Sequence, residues 1–91
     1  MADVTYRPVV QSAALRSLGR IPERYAWALL RFIGGPLAWS PRRVGKALGL
    51  ELTGWRVARI EDYRIVYWID EAEHTVVVER IEHRADVYRP R

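Results

Sequence analysis

The chain has no cysteine, one lysine, one methionine, one phenylalanine and two histidines. Without cysteine there is no disulfide scaffold and no zinc site built on thiolates. Two histidines are too few for a His-rich metal cluster. No long apolar run is present: stretches such as Ala26 to Leu30 and Ile65 to Ile69 fall far short of the ~20 residues that span a bilayer. The N-terminus lacks an apolar core behind a basic start, so no signal peptide is expected, and a cytoplasmic location is. No internal repeat or low-complexity tract is visible, and 91 residues suit a single domain, 1–91.

Positive charge is plentiful, and almost all of it is arginine. Fourteen of the fifteen cations are Arg, Lys46 being the exception, and the formal net charge is +4. It is unevenly placed. Residues 1–50 hold eight basic and two acidic side chains, residues 51–91 seven basic and nine acidic. Arginine is the side chain for bidentate phosphate contact, and a basic balance favours polyanionic partners.

The order of elements reads β-α-α-β-β-β. Val4-Thr5-Tyr6 favours a strand ending before Pro8. Val10, Ala14, Leu15 and Leu18 lie on one helical face, with Gly19 as its C-terminal cap. Pro22 and Glu23 open a second helix whose apolar stripe is Ile21, Tyr25, Leu29 and Phe32, and Gly34-Gly35-Pro36 is expected to stop it. Residues 34–54 read as a loop, pinned by Leu48 and Leu50 and carrying Arg42, Arg43 and Lys46. These cations either lie over a phosphate backbone or decorate a solvated connection. From Trp55 the period becomes two. Tyr63, Ile65, Tyr67 and Ile69 share one face of a strand, and Arg64, Val66 and Trp68 the other. Glu61-Asp62 and Asp70 to Glu73 are the turns, and Thr75 to Ile81 is a further strand. The fold class is α+β: a small twisted antiparallel sheet with an N-terminal helical hairpin on one face.

The other face is expected to carry Arg56, Ala58, Arg64 and Trp68, with Arg84 just past the last strand and Tyr88 four residues on. Such a guanidinium cluster suits a phosphate, and the tyrosine supplies a stacking surface or a phenol for proton transfer. Ordinary surface arginines would give the same pattern. Trp55, Tyr63 and Tyr67 are read as core, His74 as strand surface, and Trp27 and Trp39 as partly exposed interface candidates.

The run Gly54-Trp55-Arg56-Val57-Ala58-Arg59-Ile60-Glu61-Asp62-Tyr63-Arg64-Ile65-Val66-Tyr67 resembles the central "WRxRxGDYRxxY" signature of RelE-type toxins of the RelE/ParE superfamily. Ile81-Glu82-His83-Arg84-Ala85-Asp86-Val87-Tyr88-Arg89 resembles that family's terminal "xGHRxxVYR", and Lys46-Ala47-Leu48 with Gly49 its "KxLxG" lead-in. The resemblance implies a toxin of a type II toxin–antitoxin system. Such a toxin is silenced in a hetero-oligomer by a small acidic RelB-like antitoxin, and it cleaves messenger RNA on the ribosome. It implies metal-free, cofactor-independent attack of a ribose 2′-OH on the neighbouring phosphate. Arg56 then matches a phosphate-contacting residue, and Arg64 the arginine stabilising the transition state. Arg84 matches an arginine of transition-state or leaving-group duty, and Tyr88 the general base. Arg42, Arg43, Lys46 and Arg59 are RNA- or ribosome-binding candidates. Ala58 departs from the pattern, which often has a second Arg or Lys there. His83, beside Arg84, either shares the acid–base work or orients the C-terminal segment. Alternatives on the same fold are a ParE-like poison of DNA gyrase and a catalytically weak member acting through its antitoxin.

Overall fold

The computed structural model describes residues 5–48 and 54–84. Strand β1 (Arg7–Val10) leads into helices α1 (Ser12–Arg20) and α2 (Glu23–Phe32), then a π-helical turn, Ile33–Leu37. Four strands follow: β2 (Lys46–Ala47), β3 (Trp55–Ile60), β4 (Tyr63–Asp70) and β5 (Thr75–His83). The sheet order is β1-β5-β4-β3-β2. The α+β class with a helical hairpin on one sheet face stands, and the sheet is mixed because β1 runs parallel to β5.

Three local expectations change. Strand β1 includes Pro8 instead of ending before it. The backbone N–H of Arg7 donates to His74 and that of Gln11 to Val78, so odd-numbered residues turn their donors toward β5. Pro8 therefore faces the open edge, where its missing donor costs nothing. Helix α1 starts at Ser12 and runs through Gly19 to Arg20, which moves Val10 into the strand. Gly34-Gly35-Pro36 widens the helix without stopping it. Pro36 has no N–H and would collide with the carbonyl four residues back, and the π turn absorbs it while Ile33 and Leu37 stay buried. The expected loop 34–54 is thus partly helical and supplies edge strand β2. Val4 and Leu50 lie outside the described residues.

The core lies between the hairpin and one sheet face. Ala14, Leu29, Ile33 and Leu37 meet Ala58, Tyr63, Ile65, Tyr67, Val76, Val78 and Ile81. One strand irregularity makes this set possible. Ladder β4–β5 slips by one residue at Val66/Tyr67, with Val66 opposite Arg80 and Tyr67 opposite Val78. Glu79 is the extra residue of this β-bulge, and it lets Val78 and Ile81 both face the helices. Among the described residues no helix is long and apolar enough to cross a membrane.

Candidate functional site

The two-residue turn Glu61-Asp62 sets what faces what. It pairs Ile60 with Tyr63, and hence Arg59 with Arg64, Ala58 with Ile65, Val57 with Val66, Arg56 with Tyr67 and Trp55 with Trp68. Cross-strand partners share a face. Tyr63, Ile65 and Tyr67 are core, so Arg56 and Ala58 lie on the helix side. Trp55, Val57, Arg59, Arg64, Val66 and Trp68 form the open face.

This corrects the expected cluster. Arg56 and Arg64 are on opposite faces. Arg56 is half-buried, and its Nη2 donates to the carbonyls of Arg42 at 2.8 Å and Gly45 at 3.0 Å. Beside it the Tyr67 hydroxyl donates to the Pro41 carbonyl at 2.6 Å. Burial raises the Tyr67 phenol pKa, and Arg56 opposes that shift. Together Arg56 and Tyr67 fasten the 41–45 loop to the sheet. Ala58 is 1 % exposed within the core, so no cation is missing from the open face at that position. Trp55, expected in the core, lies on the open face opposite Trp68.

Arg59 takes the place assigned to Arg56. It stands opposite Arg64, and neither makes an ion pair or a side-chain hydrogen bond among the described residues. Other arginines are engaged: Arg42 with Glu71, Arg80 with Glu82 at 3.5 Å, and Arg84 with Asp62 at 3.7 Å. A cleft of about 290 Å³ is lined by Arg59, Glu61, Asp62, Tyr63, Arg64 and Arg84. Arg84 is held at its rim because its backbone N–H donates to the Asp62 carbonyl at 2.8 Å. Burial raises the Tyr63 phenol, which makes it a poor base. A second cleft, about 460 Å³, is lined by Val44, Gly45, Lys46, Val57 and Arg59. Lys46 pairs with Val57 and so joins the open face. The cations Lys46, Arg59, Arg64 and Arg84 thus border two clefts that share Arg59.

The other candidates fall elsewhere. His83 pairs with Tyr63 and meets its ring edge-on at a centroid distance of 5.1 Å. It lines a separate cleft with Ser17, Arg20, Ile21, Tyr63 and Ile81, on the helix side of the sheet. Arg42 is drawn toward the β4–β5 turn by Glu71, which also accepts from the Tyr6 hydroxyl at 3.0 Å. Arg43 is exposed in the same loop. His74 is no plain surface residue: it stacks on Tyr6 at 4.1 Å with its backbone at φ 56°. Trp27 and Trp39 are exposed, as expected, at 55 % and 69 %. Tyr88 lies outside the described residues.

A family model described as "ParE toxin of type II toxin-antitoxin system, parDE" matches residues 9–88. The chain is 41% identical over 87 residues to a Toxin RelE of Mycobacterium tuberculosis, covering 96% of this chain and 90% of that protein. It is 45% identical over 78 residues to a Toxin RelG of the same organism, covering 86% and 90%. The fold superposes on a crystal structure of the M. tuberculosis toxin–antitoxin complex RelBE2 with a TM-score of 0.84 at 41% identity, covering 89% of this chain and 100% of that one. The family match over most of the chain, the relatives and the shared fold place this chain in the RelE/ParE family of type II toxins, on its RelE side.

Proposed function

We propose that the chain is an endoribonuclease that cuts messenger RNA on the ribosome, without a metal, by attack of a 2′-OH on the adjacent phosphate. The observation that carries this reading is the Arg59–Arg64 pair. Like charges directly across a ladder destabilise a sheet. Glu82 stands across from Arg64 on β5, but its carboxylate pairs with Arg80, so neither Arg59 nor Arg64 has an ion-pair partner among the described residues, a local cost of the kind expected at functional sites. A phosphate between the two guanidiniums would relieve the repulsion through charge-assisted hydrogen bonds.

In the proposed reaction the 2′-oxygen forms a bond to phosphorus and its proton passes to a base. The bond from phosphorus to the 5′-oxygen breaks, and that oxygen takes up a proton. The products are a 2′,3′-cyclic phosphate and a 5′-hydroxyl. Arg59 and Arg64 stabilise charge on the non-bridging oxygens, with Arg84 at the rim beside the leaving group. Tyr88 is the proposed base, a role that rests on the sequence resemblance. His83, across the sheet, is proposed to act by holding Tyr63 and the end of β5. Lys46, Arg42 and Arg43 supply further contacts to RNA or ribosome, and Arg56 contributes by fastening their loop.

The proposed partner is a small acidic antitoxin of the RelB kind, forming a hetero-oligomer with this chain in the cytoplasm. Exposed Trp27 and Trp39 are proposed contacts. The related M. tuberculosis RelBE2 structure is such a toxin–antitoxin complex.

Primer extension on ribosome-bound message tests the reading. Wild-type protein should leave discrete cuts that persist in chelator, and Arg64→Ala should abolish them. The match to the ParE description favours one second reading, gyrase poisoning. Induction of a DNA-damage response with no cut message would establish it in place of the first.

A further inference from the structure

The open face continues beyond the arginines. Trp55 and Trp68 are partners on it, four residues along each strand from Arg59 and Arg64, or about 14 Å at ~3.4 Å per residue. They border a cleft of about 410 Å³ lined by Gly54, Trp55, Trp68, Ile69 and Glu79. Both indoles are half-buried and stand outside the core cluster, so packing of the helices does not account for them. The bulge residue Glu79 accepts from the indole Nε1 of Trp68 at 2.9 Å, and the same oxygen meets Gln11 Nε2 at 3.5 Å. The ring is thereby fixed before any ligand arrives. Lys46, opposite Val57, flanks the path between the arginine pair and the indoles.

We propose that Trp55 and Trp68 form a stacking subsite for an unpaired RNA base, a nucleotide beyond the scissile linkage. The proposal rests on the reading of Arg59 and Arg64 as the phosphate site. A basic track beside an aromatic surface is the arrangement that binds single-stranded nucleic acid, with the cations following the backbone and the rings taking the bases. Charge selects the occupant. The base is neutral and tolerates Glu79, whereas an acidic protein segment would set its carboxylates against it. A purine covers more of an indole than a pyrimidine does, so the subsite favours purines at one fixed distance from the cut.

The test maps cut sites and rates on ribosome-bound messages of varied sequence, using the full chain and its Trp68→Leu, Trp68→Phe and Arg64→Ala variants. Thermal unfolding and antitoxin affinity are measured alongside. Loss of a stacked base corresponds to roughly a ten-fold to hundred-fold drop in rate. Trp68→Leu should show that drop and lose the purine preference at the fixed position, and Trp68→Phe, which keeps a ring face, should fall between it and wild type. If Trp68→Leu does not fold, Trp55→Leu replaces it, with the same expectation. Unchanged rate and pattern in a folded Leu variant, with Arg64→Ala inactive, overturns the subsite and leaves the phosphate reading standing. Loss of antitoxin affinity with unchanged cleavage assigns the indoles to the protein partner and overturns it also. Wild-type cutting by Arg64→Ala overturns the phosphate reading and the subsite with it.

Discussion

The phenolic oxygen of Tyr67 fills the space where a side chain at residue 45 would begin. A Cβ on Gly45 would collide with that hydroxyl and stand 2.8 Å from the Val57 carbonyl, which is backbone and cannot swing away. Gly45→Ala should therefore displace the loop that leads into Lys46. We expect a loss of about 1–3 kcal/mol, within the range for overpacking a tight site, read by urea denaturation. Tyr67→Phe leaves the Pro41 carbonyl without its donor and should cost about 1–3 kcal/mol by the same measurement. Both should weaken RNA cleavage less than Arg64→Ala does, because the cations remain.

Arg59→Ala should lower the cleavage rate about 10²–10³-fold, the loss seen when one donor to a developing oxyanion is removed. Ala58→Arg should not restore it. The new guanidinium would enter the core opposite Ile65 without a partner, so that protein should unfold more readily by several kcal/mol. Primer extension and thermal melts on the single and double variants check both statements.

Glu61 has its backbone at φ 57°, in the left-handed region that glycine prefers, and its carboxylate borders the arginine cleft. Glu61→Gly should stabilise the hairpin by roughly 1 kcal/mol through relief of strain. It also removes a negative charge from the place where a phosphate would sit. An increase in both melting temperature and cleavage rate is the expected result. A melt that rises while cleavage falls would show that the carboxylate serves the reaction.

The hydrogen bond from Arg42 lowers the Glu71 carboxyl below its ordinary value of 4.5, with the Tyr6 hydroxyl assisting. A lowered folded-state pKa contributes stability that is fully present above the unfolded value. It is lost as the pH falls below about 4.5 and through the folded value. The group is exposed, so the contribution is small and screened by salt. Wild type should melt slightly higher than Glu71→Gln at pH 7 and low salt, and the gap should narrow as the pH falls below about 4.5 or in 1 M salt.

How much of this was legible in the sequence varies by strand. Strand β4 shows its faces plainly, because Tyr63, Ile65, Tyr67 and Ile69 alternate with Arg64, Val66 and Trp68. Strand β3 misleads. Trp55 and Val57 look like its inward side and Arg56 its outward side, yet the structure has the reverse. Hydrophobic alternation fails there because the open face itself carries two indoles and two valines, while Arg56 is drawn inward by loop carbonyls. The length of the Glu61-Asp62 turn held the correct answer: a two-residue loop places odd-numbered residues of β3 beside even-numbered residues of β4. Counting across the turn would have set Arg59 beside Arg64. Strand β1 was obscured by Pro8, read as a terminator when its edge position makes it harmless. The bulge at Glu79 had no sequence signal, since one extra residue in a β-branched run leaves the composition unchanged.

That extra residue splits β5 into two reading frames. Before it, even-numbered side chains such as Val76 and Val78 face the helices; after it, odd-numbered ones such as Ile81 do. Deleting Glu79 would let Arg80 follow Val78 in a regular ladder with Val76, Val78 and Ile81 still toward the helices, so what the deletion removes is the local twist of the bulge and the carboxylate that holds the Trp68 indole.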